Sequence, residues 1–146
     1  MSERILVGAD HAGFQLKEKL VAELRRLGYE PVDVGPKTLD PADDFPDYAR
    51  PVAEAVSTGT AQRGVLTCGT GLGMSFVANR YPHVRAALAW SPEVAELARK
   101  HNDANVLVLP SGFVSETEGL DILRTWLTTP FEGGRHTRRI QKIDHG

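Results

Sequence analysis

The chain has 146 residues, 41% of them hydrophobic and 25% charged, with a formal net charge of -2 and one cysteine, a balance ordinary for a single globular domain around one core. The near-neutral charge excludes the electrostatic footprint of a nucleic-acid binder or of a protein drawn to an acidic membrane surface, a lone thiol excludes an internal disulfide, and no apolar run nears the ~18 residues of a membrane span. One thiol and no visible signal-peptide layout ahead of the first apolar run together predict a reducing, cytoplasmic setting.

Ile5 to Ala9 reads ILVGA, a short apolar run that predicts a buried strand. Asp10 follows and can cap the next helix, whose Leu16, Leu20, Leu24 and Leu27 form one apolar stripe before Gly28 stops it. Residues 31 to 34 are a second strand candidate. Residues 35 to 47 hold three prolines and four aspartates and predict a loop. A helix is expected over residues 48 to 56, with Val52 and Val56 one turn apart, and a third strand, GVLTC, over 64 to 68. The glycine-rich GTGLG leads into a helix from about residue 74 to 80. Residues 84 to 90 read as a fourth strand. Pro92 suits the start of the next helix, which runs to about residue 100. Residues 106 to 109 form a fifth strand, and two helices follow near 116–128 and 134–143. Strands alternate with helices throughout, and each strand is apolar on both faces, which predicts an α/β fold with a parallel sheet covered on both sides. The chain has no internal repeat or low-complexity tract, so residues 1–146 read as one domain.

Open parallel sheets bind ligands at the carboxyl ends of their strands, where the strand order reverses. Asp10-His11 directly follows the first strand, and Cys68-Gly69-Thr70-Gly71-Leu72-Gly73 directly follows the third. Glycines at alternate positions let backbone N–H groups turn toward one anion, either a phosphate or a developing oxyanion. They equally suit a tight strand-to-helix turn. The loop lacks the Gly-Lys-Ser/Thr of a Walker motif, and Met74 stands where a dinucleotide fingerprint needs its third glycine. A thiol at a strand end facing oriented amides is favoured as thiolate, although most free cysteines serve as small buried hydrophobes. Met74 also occupies the Arg position of a Cys-x5-Arg phosphatase, which opposes attack on phosphorus. Proton abstraction beside a carbonyl, with the loop holding the enediolate, suits the residues better.

Two further clusters carry polar chemistry. His101 and Asn102 precede the fifth strand, at the sheet edge opposite Cys68, so any catalytic role for them requires a neighbouring subunit's site. As plain structure, His101 complements a helix C-terminus and Asn102 is its left-handed stop. Arg135 and Arg139 share a helix face close to that helix's start, where positive charge is unfavourable. This suggests a bound phosphate, against the simpler reading of a solvated basic face.

GADHAGF at 8–14, GVLTCGTGLGMSFVANR at 64–80, HNDANVL at 101–107 and FEGGRHTRR at 131–139 resemble the type B ribose-5-phosphate isomerases, a group with related galactose-6-phosphate and allose-6-phosphate isomerases. The likeness spans nearly the whole chain in the same order. It implies a Rossmann-like three-layer α/β/α sandwich with a five-stranded parallel sheet, and a homodimer or dimer of dimers whose last helix reaches onto the partner. It also implies an aldose–ketose isomerase of the pentose phosphate pathway that needs no metal and no organic cofactor. Cys68 matches the proton-abstracting cysteine, and His101 the acid that assists ring opening, with Asp10 and Thr70 beside the chemistry. Asp10 and His11 would contact the substrate, Asn102 would help hold the sugar, Gly69 to Gly73 would surround the enediolate, and Arg135 and Arg139 would grip the phosphate. One departure stands out. After the fifth strand the pentose enzymes usually carry Gly-x-Arg, and here Gly112 occupies the arginine's place, followed by Phe113. A cation is lost, which leaves the same reaction on a tetrose or hexose phosphate as the second expectation. A nucleotide-binding module or a phosphatase is a more distant one.

Overall fold

The structure, a computed structural model, describes residues 2–146. Five parallel strands, β1 (Arg4–Ala9), β2 (Glu30–Asp33), β3 (Arg63–Cys68), β4 (Ala86–Leu88) and β5 (Val106–Pro110), form one sheet in the order β2-β1-β3-β5-β4. Six helices complete it: α1 (Phe14–Arg26), α2 (Pro46–Thr58), α3 (Leu72–Ala78), α4 (Pro92–Asn102), α5 (Glu116–Thr128) and α6 (Arg135–Asp144). The α/β reading and the five-stranded parallel sheet are therefore borne out. No helix among the described residues is long and apolar enough to cross a membrane.

Alternation along the strands explains the three layers. Ile5, Val7, Val65, Leu107 and Leu109 face one side and pack with Leu20 and Leu24 of α1 and Ile122, Leu123 and Trp126 of α5. Leu6, Leu66, Val106 and Val108 face the other and pack with Val52, Ala53 and Val56 of α2 and Met74 and Ala78 of α3. Successive side chains of a strand point to opposite faces, so a strand buried on both sides must be apolar at every position, as ILV and VLVL are. Burying a side chain of this size stabilises by about 1.5–3 kcal/mol.

Local chemistry sets the ends. Ser115 caps α5 in a reciprocal capping box with Glu118, and Ser91 accepts from the Val94 N–H at the start of α4. Asp10 is the expected cap, but it caps a single 3-10 turn, His11–Gly13, that precedes α1. Strand β4 is shorter than the run over 84–90 suggested. The Asn105 side chain takes the Arg85 N–H at 2.8 Å, so the ladder of this edge strand begins one residue later. Asp103, not Asn102, adopts the left-handed conformation that ends α4, with φ 46°. Helix α6 buries only His136 and Ile140, and Ile143 is left 62% exposed.

Candidate functional site

The sheet order reverses between β1 and β3, which lie side by side with Ala9 opposite Thr67. The residues just beyond both strands, Asp10 and Cys68, therefore flank one switch-point crevice. The glycine loop after β3 folds back on its own cysteine. Gly71 has φ +77°, a conformation that favours glycine, and its N–H donates to the Cys68 Sγ at 3.2 Å. A side chain at Gly71 would also run into Leu88. Cys68 is 5% exposed, and its neighbours include the apolar cluster under α2 and α3.

The loop differs from the expected open cradle. The Gly71 amide serves the sulfur, and the Leu72 amide donates to the Thr70 Oγ1 at 3.2 Å. Residues 71 and 72 thus spend their N–H groups inside the loop, which leaves the amides of Gly69, Thr70 and Gly73 as its candidate donors to an oxyanion. Phe45 reaches over from the preceding loop and closes against Gly73.

The departure at Gly112 has a structural counterpart. The Ser111 N–H donates to the Cys68 carbonyl and the Gly112 N–H to the Gly69 carbonyl, each at 2.9 Å. The segment after β5 is thereby clasped to the segment after β3. A Cβ at residue 112 would sit 2.9 Å from the Gly69 carbonyl oxygen. The backbone contact at this position admits no side chain without a shift. Gly112→Ala is expected to cost about 1–3 kcal/mol of stability through overpacking and to lower kcat by displacing Gly69. Urea midpoints and steady-state kinetics read the two effects separately.

His11 is held by a residue that sequence reasoning missed. The Asp43 Oδ1 accepts from the His11 backbone N–H at 3.1 Å and lies 2.8 Å from its Nδ1. The hydrogen bond to Asp43 is the largest cause of a raised His11 pKa, and the nearby charges of Asp10, Asp43 and Asp40 add to it. Nothing in the sequence separates Asp43 from the three other aspartates of its loop; only the folded backbone brings it to His11.

The other expected site residues lie elsewhere. His101 and Asn102 end α4, at the edge where β5 begins, while Cys68 pairs with Pro110 at the edge where β5 finishes. Four residues of strand separate the edges by about 13 Å. The His101 ring stacks on that of His136, centroids 4.5 Å apart and planes 15° apart, and Glu132 Oε1 lies 3.8 Å and 3.4 Å from their Nε2 atoms. Arg135 and Arg139 are exposed on α6, the helix that carries His136. Within one chain the candidate residues therefore fall into two groups: Asp10, His11 and residues 68–73 at the carboxyl edge, and His101, Asn102, Arg135 and Arg139 at the other.

Two clusters offer three metal-ligand atoms each: His101, Glu132 and His136, and Asp10, His11 and Asp43. In the first the two imidazoles stack nearly parallel, and in the second the His11 Nδ1 and one Asp10 oxygen already contact Asp43 and the Gly13 N–H. Between the loops after β3, β4 and β5 lies a cleft of about 430 Å³ lined by Thr70, Leu72, Leu88, Trp90, Pro110 and Phe113. Its wall is largely apolar, with Trp90 59% and Phe113 74% exposed.

The sequence profile of the family described as Ribose/Galactose Isomerase matches residues 5–143. A ribose-5-phosphate isomerase B of Escherichia coli is 41% identical, the match covering 97% of this chain and 94% of that protein. A probable ribose-5-phosphate isomerase B of Mycoplasma pneumoniae is also 41% identical, over 98% and 94%. Among solved structures, a ribose 5-phosphate isomerase from Thermotoga maritima superposes with a TM-score of 0.95 at 46% identity and full coverage of both chains. The ribose-5-phosphate isomerase B of Mycoplasma genitalium, with bound ribulose-5-phosphate, gives 0.96 at 43%, covering 99% of this chain and 96% of that one.

Proposed function

The chain belongs to the ribose/galactose isomerase family, and on that premise we propose that it interconverts ribose 5-phosphate and ribulose 5-phosphate through an enediolate, with Cys68 as the base. It is an aldose–ketose isomerase. The observation that carries the base assignment is the Cys68 sulfur at the β1/β3 switch point with the Gly71 N–H directed at it.

The sugar binds as a ring, which His101 and Asp10 help to open by proton transfer. The Cys68 thiolate then takes the proton from C2. The C–H electrons form the C1–C2 double bond, and the former carbonyl oxygen becomes an oxyanion facing the amides of Gly69, Thr70 and Gly73 in the loop of residues 69–73. A proton passes between the two oxygens, and Cys68 returns its proton to C1. No electrons leave the substrate, so the reaction calls for no redox cofactor. His11 contacts the substrate, Asn102 holds the sugar, and Arg135 and Arg139 bind its phosphate.

Because His101, Asn102 and the arginines lie at the opposite edge from Cys68, the active site is shared between two copies, as a homodimer or a dimer of dimers. Helix α6, mostly exposed on its own chain, packs on the partner as part of the single 1–146 domain. The apolar cleft beside Thr70 is a surface that a second copy would cover. Its likeness to metabolic isomerases supports a cytoplasmic setting.

The test is a panel of four-, five- and six-carbon aldose and ketose phosphates with unphosphorylated controls, ranked by kcat/KM. The pentose pair is expected to lead. A hexose or tetrose phosphate at the head of the ranking would overturn the substrate assignment and give the loss of a cation at Gly112 a role in specificity.

A further inference from the structure

We propose that Asp43 is a positioning residue that grips His11 at its backbone nitrogen and Nδ1, leaving Nε2 as the free donor of an imidazolium that receives the substrate's anionic group where Gly112 supplies no charge. The inference rests on the isomerase reading for the identity of the substrate, but its geometry stands apart from the catalytic cysteine.

Asp43 comes from the loop before α2, and its side chain is only 4% exposed. Both contacts to His11 fall on Oδ1. Its Oδ2 is buried with no hydrogen-bond partner among the described residues. A buried carboxylate with an orphaned oxygen is costly unless a counter-charge stands beside it. The charged groups acting on His11 are all acidic: Asp10 from the end of β1, and Asp40 and Asp43 from the loop. On α2, Asp47 and the neutral phenol of Tyr48 face the same acidic loop. The imidazolium is therefore the cation that this pocket of carboxylates requires. His11 keeps 40% of its side chain exposed, so the ring is anchored at one nitrogen and open to solvent on the rest. An imidazole tied at Nδ1 by a carboxylate has its orientation and its protonated form set by that partner. The same loop brings Phe45 against Gly73, so the grip on His11 and the cover of the glycine loop belong to one segment.

The experiment uses the full-length protein, inorganic phosphate as the probe, and the variants Asp43→Asn, His11→Asn, their combination and Asp43→Glu. In a pH series through the ordinary imidazole value of 6.5, Asp43→Asn is expected to weaken phosphate binding in calorimetry, and to raise KM for ribose 5-phosphate, by about tenfold, the worth of one charge-assisted hydrogen bond, with a smaller change in kcat. Asp43→Asn should add nothing in the His11→Asn background, and Asp43→Glu should restore part of the loss. Nitrogen NMR of His11 across that series should show the wild-type ring keeping both nitrogens protonated to higher pH than the ring in Asp43→Asn, a signature that a merely destabilised loop would not give. Unchanged phosphate affinity, an unchanged His11 charge, or full additivity in the double variant would overturn the inference. Should the wild type fail to turn over ribose 5-phosphate, the isomerase reading falls, and the His11 spectrum still decides the role of Asp43.

Discussion

Cys68→Ala is expected to lower kcat by at least about 10²–10⁴-fold, the range typical of losing one general acid–base group, while KM for ribose 5-phosphate stays within a few fold. The split follows from where the sulfur sits. It ends β3 beneath the glycine loop and accepts the Gly71 N–H at 3.2 Å, whereas the groups proposed to bind the sugar and its phosphate belong to other segments. Removing the sulfur takes away the proton acceptor and leaves the binding contacts standing. Cys68→Ser sharpens the test, because it keeps the shape and a hydrogen-bond acceptor for Gly71 but offers a far weaker base. Serine should be nearly as inactive as alanine. The side chain is 5% exposed, so alanine also leaves a small cavity, and its cost of a few kcal/mol at most is read by thermal denaturation, independently of turnover. Near-full turnover in a folded Cys68→Ala protein would remove Cys68 from the reaction.

The fold was legible because its strands obey a simple rule. ILVGA and VLVLP have no polar face, and only a sheet covered on both sides tolerates that. What escaped the sequence was set by contacts distant along the chain. Strand β4 is trimmed because Asn105, twenty residues later, takes the Arg85 N–H. The glycine loop was readable as a place for an anion, but not that the sulfur and Thr70 would claim the amides of residues 71 and 72. Cys68 announced itself by standing alone at a strand's end before three glycines. Asp43 had no such mark, since its meaning depends on a loop of twelve residues, 34–45, bending back onto His11. The separation of His101 from Cys68 could be deduced in advance, because a residue before a parallel strand and a residue after its neighbour lie at opposite edges of the sheet. The register of β3 with β5 is consistent with that deduction.

That separation leads to the second large effect. Two inactive variants, Cys68→Ala and His101→Ala, are expected to recover activity when they share a dimer. In a mixed dimer one of the two shared sites has lost both groups. The other combines the intact Cys68 of the His101→Ala chain with the intact His101 of the Cys68→Ala chain. Random reassociation in equal amounts makes half of the dimers mixed, so recovery should approach about a quarter of the wild-type rate for a two-fold symmetric assembly. The mixture is unfolded and refolded together to exchange subunits, and each variant refolded alone is the reference. A dimer of dimers gives the same fraction, because each site still needs one pair. A site complete within one chain would give no recovery at all. That outcome would require His101 to cross about 13 Å of sheet from the end of α4, away from the His136 ring on which it stacks, which nothing in the packing of α4 against α6 provides.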